Sequence, residues 1–262
     1  MPRLRFSGVT GTVLYDFDET RHVVTITYNR PDALNAINGE MRGDLNEAFG
    51  RFRDDENAWI AIVTGAGRAF CAGADIGGEG NSAGDFPGTF WEKPTQNSFE
   101  SGWEIFKPVI AAVNGHCLGY GFTLVTWCDF VIASERATFG LPELLYGFVP
   151  AIVLPFLLER LPPHKLRLAG LSARTFTAAE AAQCGLADVL TSDLPGALRT
   201  AVRRFSRVQP SAIAKWKTFA APARSAAGLD VTAGTLEDPI ITKRVQTFLS
   251  EGTAPWLQDC DD

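Results

Sequence analysis

The sequence predicts an α/β fold, one main domain of strands alternating with helical segments that ends in a helical C-terminal region. Three observations lead there. Two early runs alternate apolar and polar residues across a short polar link. Short apolar runs then recur between helical patterns and glycine-rich turns. From Ala151 onward the spacing is mainly helical.

Taken in order, Thr12 to Phe17 and Val23 to Tyr28 alternate with a period of two, and Asp18 to His22 joins them as an antiparallel hairpin. After the Arg30-Pro31 break, Met41, Leu45, Ala48, Phe49 and Phe52 are spaced for one buried helical face. Trp59 to Thr64 reads as a buried strand that stops at Gly65-Ala66-Gly67. Gly77 to Asn97 collects turn formers yet carries Phe86, Phe90 and Trp91, so it is either a binding lid or a surface excursion. A second buried strand, Pro108 to Asn114, runs into Gly115 and Gly119-Tyr120-Gly121. One or two helical turns follow over Phe122 to Trp127, then a third strand at Phe130 to Ala133. Such alternation implies right-handed β-α-β connections. The last hundred or so residues are expected to add helices and no sheet, with Thr177-Ala178-Ala179-Glu180 as a capping box.

Composition narrows the function. With 262 residues, 46% hydrophobic and 21% charged, the chain has the makeup of an ordinary globular protein. A net charge of −6 argues against a nucleic-acid surface, which needs clustered cations to neutralise phosphates. No apolar run is long enough to span a bilayer and the start has no sustained apolar stretch, so no membrane association and a cytoplasmic location are expected. Five cysteines, Cys71, Cys117, Cys128, Cys184 and Cys260, and three scattered histidines have neither disulfide-framework nor metal-ligand spacing, and no metal is expected. There is no phosphate-binding loop, dinucleotide fingerprint, nucleophile elbow or H-E-x-x-H.

The chemistry is therefore sought at two strand-to-loop junctions, Phe70 to Ile76 and Asn114 to Gly121, both rich in small residues. Small side chains let backbone N–H groups approach a ligand, and a helix starting after the second junction would aim its positive end at the same point. Together the junctions have the makings of an oxyanion hole.

Over nearly its whole length the sequence resembles the crotonase superfamily, the enoyl-CoA hydratase/isomerase family. The resemblance rests on Asn29-Arg30-Pro31 with Leu34-Asn35-Ala36, on Phe70 to Ile76, Lys107 to Gly121, Cys128-Asp129, Phe139 to Glu143 and Thr177 to Leu186. It implies a spiral of β-β-α turns (residues 1–200) with a C-terminal helical extension (201–262) that assembles homotrimers, often paired into hexamers. It also implies an acyl-CoA substrate whose thioester oxygen lies between the N–H groups of Ala74 and Tyr120, each donor contributing about 3 to 4 kcal/mol. Coenzyme A enters as part of the substrate and no separate cofactor is implied. Leu34, Ala36, Ala72, Asp75 and Ile76 would border it, with Arg30 near its phosphates. The basic cluster usual after Phe248-Leu249 is missing, leaving Lys243 and Arg244 as substitutes. Tyr120 stands where the family usually has glycine, so its ring must find room.

Hydratases of this family use two glutamates, and the match carries over only the second, Glu143 in Pro142-Glu143. Thr123 occupies the place of the first. A threonine hydroxyl can hold a water, but its pKa is too high for proton exchange with an α-carbon. Glu143 is thus the expected catalytic acid/base, and a lone carboxylate favours isomerisation of a 3-enoyl to a 2-enoyl thioester. Hydration uses the same residues, with Thr123 and His116 as auxiliaries. Two alternatives share the site: C–C hydrolysis or decarboxylation within the superfamily, and an acyl-CoA-binding relative that has lost chemistry.

Overall fold

The computed structural model describes residues 11–76, 105–150 and 154–220, with Lys243, Gln246, Thr247 and Ser250 as isolated helical positions. The Gly77 to Asn97 segment, Ala151 to Val153, Arg244 and Phe248-Leu249 lie outside the described residues.

The hairpin forms as β1 (Val13–Asp18) and β2 (Val23–Tyr28), with Val13 opposite Tyr28 and Asp18 opposite Val23. α1 (Gly39–Asp54) starts where the Asn38 side chain accepts the Met41 N–H, and it buries the five residues its periodicity singles out. Full burial of side chains such as Leu45 and Phe52 stabilises the fold by about 1.5–3 kcal/mol each.

From here the chain repeats one pattern. A long strand joins a large sheet, a short strand turns out of it into a small sheet, and a helical segment returns. The pairs are β3 (Ile60–Gly65) with β4 (Ala69–Cys71), β5 (Val109–Val113) with β6 (His116–Leu118), and β7 (Phe130–Ser134) with β8 (Thr138–Gly140). α2 (Tyr120–Trp127) links the second pair to the third. β2, β3, β5 and β7 are parallel neighbours, and β4, β6 and β8 run parallel in the small sheet. β5 is buried at all five positions, which explains its unbroken apolar sequence. The corner after β5 is stitched by Asn114, whose Oδ1 accepts the Gly65 N–H at 3.2 Å and whose Nδ2 donates to Gly67 O at 3.0 Å.

The expectation that the C-terminal part adds only helices is corrected. β9 (Phe176–Thr177) closes the small sheet antiparallel to β8, and β10 (Val189–Thr191) extends the large sheet parallel to β7. These strands have two and three residues. Pairing with a preformed edge creates them, and so short a run carries no period of its own. Around them lie α3 (Leu154–Arg160), α4 (Pro163–Ser172), α5 (Ala178–Gln183), α6 (Leu194–Phe205) and α7 (Pro210–Ala220). α5 has the expected capping box between Thr177 and Glu180. The boundary expected after residue 200 falls within α6, which packs Leu198, Ala201, Val202 and Phe205 on the outer face of the large sheet against Ile60, Ile110 and Ile132. Among the described residues no helix is long and apolar enough to cross a membrane.

Candidate active site

The first junction is a ribbon. Ala72 N–H donates to Leu34 O at 3.0 Å, Ile37 N–H to Gly73 O at 2.8 Å, and Asp75 N–H to Ile37 O at 2.9 Å. Leu34 and Asn35 adopt left-handed backbone, φ 52° and 58°, an uncommon state for residues with a side chain. The fully buried Asn35 amide holds it: its Oδ1 accepts the Arg30 N–H at 2.9 Å, while its Nδ2 donates to Ala66 O and Ala69 O at 2.9 and 2.8 Å. Leu34, Ala36, Ala72 and Ala74 are thereby brought onto one ribbon. Because Gly73 and Asp75 make the bonds to Ile37, the N–H of Ala74 points the other way, as parallel pairing requires.

The second junction faces that side. β6 ends at Leu118, Gly119 turns the chain at φ 53°, and Tyr120 opens α2 with its N–H directed out of the helix N-terminus. A Cβ placed on Gly73 would lie 3.4 Å from Tyr120 N and 3.5 Å from Gly119 Cα, so the two loops are in van der Waals contact. The Tyr120 ring is buried edge-on against Trp127, with centroids 5.9 Å apart, and Trp127 in turn packs on Phe156. The ring thus finds its room along α2.

Glu143 opens a one-turn 3-10 helix, Glu143–Tyr146, just after β8. Its Oε1 lies 3.5 Å from where a Cβ on Gly119 would stand, which puts the carboxylate beside both junctions. The residue as a whole is only partly buried, but Oε2 is fully enclosed and has no hydrogen-bond partner among the described residues. Burial pushes its pKa from 4.5 up to about 7, partly opposed by a hydrogen bond from its own backbone N–H. A carboxyl group poised near neutrality can both take and give a proton.

Tyr146, which the sequence reading passed over, stands three residues on. Side chains three apart eclipse in a 3-10 turn, and the Tyr146 phenol pKa is raised by burial and then by the Glu143 charge. The spacing was visible in the sequence, but the three-residue period appears only with the fold. Thr123 is 1% exposed, and its Oγ1 is buried without a hydrogen-bond partner among the described residues.

His116 sits at the upstream end of β6, its Nδ1 2.8 Å from Thr138 Oγ1, whereas Leu118, opposite Gly140, marks the Glu143 end. Arg30 and Asp75 pair with each other at 2.8 Å, and Arg30 Nη1 also donates to Ala36 O, so this guanidinium braces the ribbon. Ile76 ends the described segment, and Lys243 is exposed. Cys71 and Cys117 face each other across β4 and β6 with thiol pKa values raised by burial, the state of packed rather than reactive thiols.

A spiral of paired long and short strands, interleaved with helical segments, is the crotonase architecture. Residues 18–247 match the family model described as enoyl-CoA hydratase/isomerase, and the chain belongs to that family. Among curated proteins it is 35% identical over 202 residues to a carnitinyl-CoA dehydratase of Proteus mirabilis, covering 74% of this chain and 75% of that one. It is 37% identical over 175 residues to a mevalonyl-coenzyme A hydratase of Aspergillus fumigatus, covering 64% and 62% respectively. Among solved structures, a carnitinyl-CoA hydratase from Mycobacterium avium superposes with a TM-score of 0.77 at 26% identity, over 93% of this chain and 97% of that one.

Proposed function

We propose that this chain adds water to, or removes it from, an acyl-CoA thioester, with Glu143 as the sole carboxylate moving protons and an enolate held by the N–H groups of Ala74 and Tyr120. The observation that carries the reading is the Glu143 carboxylate, enclosed beside both junctions with a pKa near 7. In hydration, Glu143 takes a proton from water as the water oxygen bonds to the β-carbon. The π electrons move to the thioester oxygen, and Glu143 then returns the proton to the α-carbon. Charge develops on the thioester oxygen in both steps, where preorganised N–H donors act most strongly. The substrate brings its own coenzyme A along the ribbon of Leu34, Ala36 and Ala72, and no further cofactor enters the scheme.

Isomerisation of a 3-enoyl to a 2-enoyl thioester is the second reading, favoured by the single carboxylate, since one base can remove and return the same proton. The names of the hydratase and dehydratase relatives favour water chemistry. Incubation with 2-enoyl-CoA and 3-enoyl-CoA in deuterated water, followed by product mass, separates them. Water addition supports the first reading and double-bond migration alone the second. Loss of both reactions in Glu143→Gln, with thioester binding kept, is required by either. Water addition that leaves no solvent deuterium at the α-carbon would sink the first reading, and double-bond migration undiminished in Glu143→Gln would sink the second.

A further inference from the structure

From the placement of its hydroxyl, we infer that Thr123 is the residue that holds the β-oxygen of the substrate, as the attacking water or as the departing β-hydroxyl, and so sets the specificity for 3-hydroxyacyl over unsubstituted thioesters. This deepens the proposed function and rests on it. A threonine inside a helix ordinarily returns its hydroxyl to a carbonyl three or four residues back. Thr126, in the same helix, does so, donating to Thr123 O at 2.7 Å. Thr123 does not: its N–H bonds Gly119 O at 3.3 Å, while its Oγ1 is buried without a partner among the described residues. An enclosed, unsatisfied hydroxyl is costly unless a ligand completes it.

Its direction indicates where that ligand lies. Helical side chains lean toward the N-terminus, so Thr123 covers the turn formed by Gly119 and Tyr120. Glu143 Oε1 approaches the same turn, at 3.5 Å from the Cβ position of Gly119. The other oxygen of this carboxylate, Glu143 Oε2, is also enclosed without a partner among the described residues. The carboxylate beside Gly119 and the hydroxyl one turn along α2 thus each hold an oxygen with no partner among the described residues, next to the Tyr120 N–H that would bind the thioester oxygen. A water between them would accept from Thr123 and donate to Glu143. The hydroxyl does not titrate near neutrality, so only one ionisation governs the water chemistry.

The test compares the parent enzyme with Thr123→Val, which keeps the shape, and Thr123→Ser, which restores the hydroxyl. Two rates are read in each: hydration of a four-carbon 2-enoyl-CoA, and deuterium exchange at the α-carbon of saturated four-carbon acyl-CoA, which has no β-oxygen. Thr123→Val is expected to lower hydration kcat about tenfold or more relative to exchange, and Thr123→Ser to recover most of that loss. The parent hydration profile should show a single ionisation. Equal falls in both rates, or no change in their ratio, would overturn the role of Thr123, as would a two-ionisation profile. A parent that neither hydrates nor exchanges would instead overturn the proposed function, and this inference with it.

Discussion

At the scale of single residues, Glu143 produces two opposite pH trends from one cause. Its carboxyl is protonated more readily in the folded chain, about 7 against 4.5 in an unfolded one. Between those values the folded state holds the extra proton, so stability falls as pH rises and the charged form pays its burial above pH 7. The loss is on the order of 3 kcal/mol. Glu143→Gln should therefore melt near the parent at pH 4.5 and several degrees above it at pH 8, as read by thermal melts at both pH values. Activity runs the other way. Water can be deprotonated only by the ionised carboxylate, so kcat/KM for hydration should rise through pH 7 and level off. The same Glu143→Gln substitution is expected to lower turnover about 10²- to 10⁴-fold in a steady-state assay.

At the scale of elements, α2 is fixed by how closely it meets β4. A Cβ on Gly121 would stand 2.3 Å from Cys71 O and 2.8 Å from Cys71 Cβ, so no side chain fits there without moving the helix. Gly121→Ala should cost about 1–3 kcal/mol by denaturant titration. On the proposed function it should also weaken binding of a saturated acyl-CoA, measured calorimetrically, because moving α2 shifts Tyr120 away from the Gly73 loop. Legibility in the sequence also divides by element. α1 was readable residue by residue because its buried positions repeat over four turns. The strands of the small sheet were not, since three residues cannot display a period and their pairing is settled by the neighbouring strand. Within the candidate site, the two junctions and the Pro142-Glu143 turn were reachable through the ordered motifs. The mutual engagement of Arg30 and Asp75, the role of Asn35 and the influence of the Glu143 charge on Tyr146 depend on φ values and through-space approaches that no linear pattern encodes.

For the whole molecule, the helices that follow β8 leave apolar groups outside. Trp216 on α7 is 74% exposed and Leu171 on α4 is 79% exposed. Coverage of these side chains by further copies of the chain accords with the homotrimer, or paired trimers, implied by the family resemblance. Light scattering coupled to gel filtration should then give three or six times the 28.4 kDa chain mass, and Trp216→Glu should shift it toward one. A parent that elutes as a monomer would rule this out.

The large sheet has one further property. Its strands lie in the order β1-β2-β3-β5-β7-β10, so spatial position follows chain order without a reversal. A ribosome releasing the chain from its N-terminus can lay each strand on the edge left by the one before, and no earlier strand has to part to admit a later one. The ribbon and the glycine turn come from the first rounds of this accretion, and the carboxylate from the last full one. A nascent chain halted before residue 143 would hold both junctions but not the carboxylate that stands beside them.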